Sequence, residues 1–331
     1  MFKPLFAAMV MLTSLLFSTV SQAATAWESY KARFLMPDGR IVDTGNNNVS
    51  HTEGQGFAML MAVGNNDKAA FDSMWHWTHT TLQNKENGLF YWRYNPVEAD
   101  PIADKNDATD GDILIAWALL KAGERWNLPA YTAASDAITQ AVLKHTVITF
   151  AGYHVMLPGA KGFNLNSRVT LNPSYFIFPA WQDFANRSHR VIWQQLIDDG
   201  QKMVGKMAFG KPRLPTDWVS LSADGTFSPA TEWPPRMSYD AIRVPLYIAW
   251  HNPQSPLLTP WRSWWQGFER SKTPAWVNVT NNENAPYNMN EGLLAVRDLT
   301  LGEPTGEPQI TAQDDYYSAS LKMLVWLAQQ R

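Results

Sequence analysis

Three short segments each place a carboxylic acid at the entrance of an apolar, helix-periodic run. They are Ser50-His51-Thr52-Glu53-Gly54-Gln55-Gly56, Asp107-Ala108-Thr109-Asp110-Gly111-Asp112 and Ser238-Tyr239-Asp240-Ala241-Ile242-Arg243. Carboxyl groups acting in pairs suit glycoside hydrolysis. One must hold a proton to give to the leaving oxygen, and the other must be ionised to attack or to activate water. A helix N-terminus lowers a carboxyl pKa, which works against the acid of such a pair. Burial and a neighbouring carboxylate must then raise it.

Each segment also has a plain structural reading. Ser50-x-x-Glu53 has the pattern of a capping box. Asp110 and Asp240 have the type of a simple N-cap. Asp240 and Arg243 stand three apart, as an ordinary helix-surface ion pair does. The glycines strain this reading. Gly54, Gly56 and Gly111 fall in first helical turns, where each costs about 1 kcal/mol relative to alanine. A glycine there lets a ligand or another backbone approach closely. If the three helix starts converge, their acids meet in one cleft.

Other chemistries find less support. The chain has no cysteine, no G-x-S-x-G elbow and no Walker-type loop. His76-x-x-His79 lacks the context of a zinc helix and reads as surface. Asp104 to Asp110 is acidic but fails the calcium-loop pattern at its fifth and sixth positions. No metal and no cofactor are expected. The net charge is −3, only 17% of residues are charged, and no basic run marks a nucleic-acid footprint. Sixteen Trp, fifteen Phe and eleven Tyr stand out. They serve equally as a large core and as a groove on which apolar sugar faces stack.

The elements that must position these acids are helical. Apolar residues recur at i, i+3, i+4 and i+7 over Trp27–Leu35, Glu53–Val63, Lys68–Leu82, Asp112–Ala122, Tyr131–His145, Pro173–Asn186, Arg190–Met207, Ala241–Trp250, Pro260–Arg270, Met289–Val296 and Asp315–Ala328. Asp67 is placed to cap one of them. Two stretches read as extended: Gly152–Leu157 with Arg168–Leu171, and Val219–Phe227 around Ala223-Asp224-Gly225. Short loops between helices suggest stacked hairpins, as a closed ring or an open solenoid. Lys3, the short apolar run Leu5–Val20 and Ser21-Gln22-Ala23 form a leader pattern, with cleavage expected after Ala23. Residues 24–331 then make one domain, exported to the periplasm or the medium, with no membrane anchor.

The run Ala108-Thr109-Asp110-Gly111-Asp112-Ile113-Leu114-Ile115-Ala116-Trp117-Ala118-Leu119-Leu120-Lys121-Ala122-Gly123-Glu124-Arg125-Trp126 resembles the signature of glycoside hydrolase family 8 at every defined position. The segments around Glu53 and Asp240, Asn172-Pro173-Ser174-Tyr175, and Asp315-Tyr316-Tyr317 also look like family segments, in the right order. The resemblance covers nearly the whole chain after the leader. It implies an all-α fold, an (α/α)6 barrel of six inner and six outer helices with small β-hairpin insertions. It implies an inverting hydrolase with Glu53 as general acid, Asp240 as general base and Asp110 holding the sugar at the scissile subsite. Tyr175 would sit near the base and the attacking water, and Arg243 would orient the carboxylates. Trp92 is the stacking candidate, while Trp117 and Trp126 read as core. The expected substrate is a β-1,4-glucan, cut internally by a monomeric enzyme. A chitosanase or xylanase of the same family, and a non-catalytic glycan-binding barrel, are the alternatives.

Overall fold

The computed structural model describes residues 25–330, so the leader lies outside the described residues. Eleven α-helices are formed among them: α1 (Ala26–Phe34), α2 (Thr52–Gly64), α3 (Lys68–Trp77), α4 (Thr109–Trp126), α5 (Pro129–His145), α6 (Phe178–Ser188), α7 (Val191–Lys206), α8 (Arg243–His251), α9 (Thr259–Trp265), α10 (Glu291–Leu301) and α11 (Tyr316–Gln329). The apolar stripes decide their layers. α2, α4 and α8 are buried on nearly every side, whereas α5 and α7 bury one face. Contacts run α2 to α4, α6, α8, α10, α11 and back to α2, which closes a ring of six inner helices. Outside it, α3 packs on α2, α5 on α4, α7 on α6, α9 on α10 and α1 on α11.

Five outer positions are thus helical. The sixth, between α10 and α11, is occupied by a helix-free segment. Gly302 in the left-handed conformation (φ 75°) stops α10, and Pro304 and Pro308 follow. A left-handed glycine closes a helix end, and proline cannot continue one. A cavity of about 720 Å³ lies under this segment, lined in part by Glu291, Pro308, Thr311, Lys322 and Trp326.

Three expected helices are interrupted, one of them Pro260–Arg270, whose helix α9 ends at Trp265 before a separate 3-10 turn at Arg270–Lys272. Lys68–Leu82 is α-helical only to Trp77 and continues as a π-turn over Thr78–Leu82. The Thr78 hydroxyl there donates to the Met74 carbonyl and accepts from the buried Gln55 amide, both at 2.8 Å. Pro173–Asn186 splits into a 3-10 turn (Pro173–Tyr175) and α6, because Pro179 starts a new first turn. Asp67 caps α3 as expected, its Oδ1 accepting from the Ala70 amide at 3.1 Å.

Nine short strands insert between helices: β1 (Ser50–His51), β2 (Arg93–Tyr94), β3 (Val147–Phe150), β4 (Tyr153–Met156), β5 (Arg168–Leu171), β6 (Val219–Ser222), β7 (Phe227–Pro229), β8 (Arg236–Met237) and β9 (Val277–Asn278). One expected association is corrected. β5 does not join the Gly152–Leu157 stretch, since β4 pairs with β3 in a tight hairpin. β5 instead pairs with β6, which pairs with β7. The remaining pairs, β1 with β2 and β8 with β9, lie beside the starts of α2 and α8. No helix among the described residues is long and apolar enough to cross a membrane.

Candidate active site

The inner helices point the same way, so their first turns gather at one end of the ring. Glu53 opens α2. Its segment is pinned by the β1–β2 ladder, with Ser50 opposite Tyr94 and His51 opposite Arg93. The expected capping box is not formed. The Ser50 hydroxyl donates to the Ile41 carbonyl instead, and the N-cap His51 makes no side-chain bond to the helix. Glu53 is therefore left to face the cleft, with 21% of its side chain exposed.

The glycines explain how this helix start reaches its neighbours. A Cβ on Gly56 would stand 2.4 Å from the Cβ of Leu114, and one on Gly111 would stand 2.0 Å from Thr52 Oγ1. A Cβ on Gly54 would stand 2.3 Å from the Tyr316 hydroxyl. Of the two uses of glycine foreseen from the sequence, close approach of other protein elements is the one observed. It brings the first turns of α2, α4 and α11 together.

Asp110 lies inside the first turn of α4, behind the N-cap Ala108, and is no cap. Its Oδ1 accepts from the Gly111 amide at 2.8 Å, and the residue is 3% exposed. Asp240 also is no cap, because α8 begins at Arg243 with Ile242 before it. Asp240 sits in a loop held from beneath by a residue the sequence reading missed. Asp217 Oδ1 accepts from the amides of Ser238 (2.9 Å) and Ala241 (2.8 Å), which bracket Asp240. From above, the Tyr317 hydroxyl donates to the Tyr239 carbonyl.

Arg243 joins the acids. Its Nη1 donates to Glu53 Oε2 and lies 3.8 Å from Asp110 Oδ2. Its Nη2 donates to Asp240 Oδ1 at 2.9 Å and to the Ser174 hydroxyl at 3.0 Å. Asn172 completes the far side, with Nδ2 donating to Asp240 Oδ2 at 3.0 Å. The Ser174 hydroxyl in turn donates to Asn172 Oδ1 at 2.6 Å. The turn Asn172–Tyr175 thus follows β5 directly into the site, and the β5–β6 pairing sets Asp217 beside it.

One guanidinium cannot offset four carboxyl groups, and Asp110, Asp217 and Asp240 are all raised above the usual carboxylate range. Burial pushes Asp110 up to about 8, with repulsion from Asp240 adding to it and the Gly111 amide opposing. Burial pushes Asp217 up to about 8, again with Asp240 beside it. Asp240 rises less, to about 6, because burial is opposed by the Asn172 hydrogen bond. Within the coupled set Asp240 is therefore the acid that ionises most readily, while Asp110 and Asp217 are displaced further toward the protonated form. Tyr175 is held well above the usual phenol range by burial and by Asp110 and Asp240, so it stays neutral.

Aromatic side chains pack beside the acid cluster. Trp92 stacks on His51 at 5.8 Å between centroids and 6° between planes, and donates Nε1–H to Asp104 at 2.8 Å. One face of Trp92 is thus spent on His51, whose imidazole burial pushes down to about 4, with Arg93 adding to the effect. Tyr175 meets Trp218 edge-on at 6.3 Å, and Trp218 is sandwiched between Phe163 (5.9 Å) and Trp233 (4.5 Å). Trp117 is core, as expected, and Trp126 packs against Phe71. His76 and His79 are exposed, as read. Asp217 and the Phe163–Trp218–Trp233 stack carry no local sequence signal. An aspartate before a strand reads as a loop residue until its partners are known.

The sequence matches glycosyl hydrolases family 8 over residues 1–331. It is 62% identical over 306 residues to an endoglucanase of Cellulomonas uda, covering 92% of this chain and 85% of that protein. The fold is similar to the crystal structure of a family 8 endoglucanase from Klebsiella pneumoniae, with TM-score 0.92 and 66% identity over 92% of this chain and 98% of that one. A family 8 endo-β-1,4-glucanase from an Achatina fulica gut metagenomic library matches at TM-score 0.93 and 69% identity, over 94% and 98% of the two chains.

Proposed function

Because this chain belongs to glycosyl hydrolases family 8, we propose that its acid cluster cleaves internal β-1,4-glucosidic bonds in one inverting displacement. The chain is an endo-β-1,4-glucanase, by its high identity to enzymes of that activity. The finer assignment concerns which acid does what.

The observation that carries it is the division of one guanidinium between two acids. Glu53 and Asp240 take different nitrogens of Arg243. They are held apart with a cation between them, as suits an inverting pair that needs about 6.5–9.5 Å to admit a water. Asp240, ionised above about pH 6, is the base that takes the proton from that water. Glu53 is the acid on the opposite side. Its contact with Arg243 favours the ionised form, so a bound glucan chain must loosen that contact or outweigh it by removing solvent before Glu53 can hold the proton. Asp110, buried between them and raised toward its protonated form, would then offer an O–H to a sugar oxygen at the scissile subsite. Tyr175 lies on the Asp240 side, where it orients the attacking water, and Trp92 lines the approach beside Glu53.

Glu53→Gln and Asp240→Asn preserve size and cannot transfer the proton. Each is expected to fold normally and to lose about 10²–10⁴-fold in kcat on soluble cellulose derivative. Wild-type turnover in either variant removes that residue from its role. NMR of the first-formed reducing end should show the α-anomer, and initial β-anomer excludes inversion. The leader pattern supports export of the mature enzyme, and N-terminal sequencing of cell-free protein should begin at Ala24.

A further inference from the structure

Behind Asp110, away from the cleft, a second pair of acids is buried for which the reaction has no use. Asp112 is fully buried in the first turn of α4, and Asp107, 7% exposed, lies just before that helix. Each spends one oxygen on a backbone amide from a different segment. Asp112 Oδ1 accepts from Phe90 at 2.8 Å, and Asp107 Oδ1 accepts from Ala160 at 2.9 Å. The second oxygens, Asp112 Oδ2 and Asp107 Oδ2, are both sealed from solvent and find no other protein donor. The two side chains interact directly, and that interaction lowers the Asp107 carboxyl and raises the Asp112 carboxyl, as when one acid donates to the other.

Two carboxylates have four acceptor oxygens and no hydrogen to share. A hydrogen bond between them requires that one be protonated. We propose that Asp107 and Asp112 hold a single proton between their Oδ2 atoms at neutral pH, and that this proton-bridged pair is a clasp that positions Asp110. The clasp fastens two segments to the start of α4. The Phe90 segment continues into Trp92, whose amide donates to the Asn106 carbonyl at 3.1 Å. The Ala160 segment is tied again where the Thr109 hydroxyl donates to the Leu157 carbonyl at 2.7 Å. Asp110 lies between the two acids in sequence and shares the first turn of α4 with Asp112.

The surroundings divide the pair. Burial raises both carboxyls, but Asp107 is lowered by the Ala160 amide, by Asp112 and by His145, whereas Asp112 is raised further by Asp107 and Asp110 and lowered only by the Phe90 amide. The titratable groups facing the pair are Asp110 on α4, His145 at the end of α5 and Tyr175 before α6. The segments Leu89–Phe90 and Leu157–Ala160 offer backbone only. Removing the bridging proton puts a second negative charge into a dry site beside Asp110. Repulsion then opens the clasp. The folded state binds more protons here than the unfolded chain, so stability falls as pH rises toward the pair's raised pKa.

The test compares Asp112→Asn with Asp112→Ala in the full mature enzyme. Asparagine supplies its own N–H to Asp107 and can still accept from Phe90, so it makes the clasp without a shared proton. The thermal unfolding midpoint and kcat on soluble cellulose derivative are followed from pH 5 to pH 9. The expected result is a difference in midpoint, Asp112→Asn minus wild type, that grows with pH. In the same series Asp112→Asn keeps kcat within about threefold, and Asp112→Ala loses about tenfold or more. Parallel midpoint curves for wild type and Asp112→Asn overturn the shared proton. Asp112→Asn as impaired as Asp112→Ala, or Asp112→Ala indistinguishable from wild type, overturns the clasp. The kcat readout rests on the proposed role of Asp110, whereas the unfolding readout stands without it, so the two failures are distinguishable.

Discussion

The two ends of the inner helix ring are built from similar residues and behave differently. At the end where the helices finish, a cavity of about 630 Å³ is lined by residues including Leu60, Val63, Trp117, Lys121, Asp183 and Trp250. Its acids are matched by donors. Asp183 accepts from Trp117 Nε1 at 2.7 Å and pairs with Lys121 at 3.1 Å, and Glu124 lies 3.4 Å from the same lysine near solvent. At the end where the helices begin, Glu53, Asp110 and Asp240 share Arg243, and half-buried Asp217 and buried Asp107 and Asp112 stand around them. Aromatic lining and open volume occur at both ends. What separates them is unmatched charge: the starting end keeps acids in a state that the fold alone would not choose. Such excess is the mark of a site tuned for proton transfer.

If the comparison is right, removing the shared cation is the most damaging change in the molecule. Arg243 is 2% exposed. Arg243→Met keeps much of its volume and strands three carboxyl groups. Loss of one partner from a buried ion pair costs about 3–5 kcal/mol. Thermal unfolding at pH 7 should show a lowered midpoint, with kcat down by at least about 100-fold. The sign of the pH dependence is specific. Without the guanidinium the carboxyls rise further, so the folded state gains protons relative to the unfolded chain. The lost stability should then return in part as pH is lowered from 7 to 5. A variant as stable as wild type at pH 7 would mean that the acids at this end are not frustrated at all.

How much of this contrast was visible beforehand differs from residue to residue. Glu53, Asp110 and Asp240 are locally encoded: an acid, a glycine or small residue, then an apolar helix. Their convergence follows once the inner helices run parallel, and the long helical stripes carry that information. Asp217 is different. Its two amide partners lie on a segment that only tertiary pairing brings to it. No spacing within the sequence announces this. The same limit explains β5. Periodicity marks Arg168–Leu171 as extended, but its partner β6 is chosen by the fold across the intervening α6 and α7. The capping readings failed for an informative reason. Ser50 has a competing acceptor in Ile41, and the helices begin earlier or later than the acids suggested. The glycines were read correctly as points of close approach, yet the occupants are α4, Thr52 and Tyr316. The missing sixth outer helix was written in Gly302, Pro304 and Pro308, which no helical stripe crosses.

A subtler change sharpens the comparison within the starting end. Asn172 donates to Asp240 and is what holds its carboxyl below the level that burial alone would set. Asn172→Ala removes a donor from the charged form, so Asp240 should titrate higher than about 6. The acidic limb of kcat/KM should move to higher pH, toward the range of its neighbour Asp110. The loss is then severe at pH 5.5 and small at pH 8. An unmoved acidic limb in this variant would detach that limb from Asp240 and with it the assignment of the base.

The smallest effect is expected at the other end, and it is the control on the whole contrast. Asp183 keeps 21% of its side chain exposed and Lys121 keeps 38%, so their pairing is a surface ion pair. Such pairs contribute about 0–1 kcal/mol. Asp183→Asn retains an oxygen for Trp117 Nε1 and loses only the charge. The unfolding midpoint should fall slightly, with kcat, KM and the pH profile unchanged. Matched charge at this end is structural and dispensable one interaction at a time, whereas unmatched charge at the starting end is not. A variant at Asp183 that shifted the pH profile would show the two ends to be electrically coupled through the ring. The absence of a shift, against the large response at Arg243, locates the tuned charge at the helix starts.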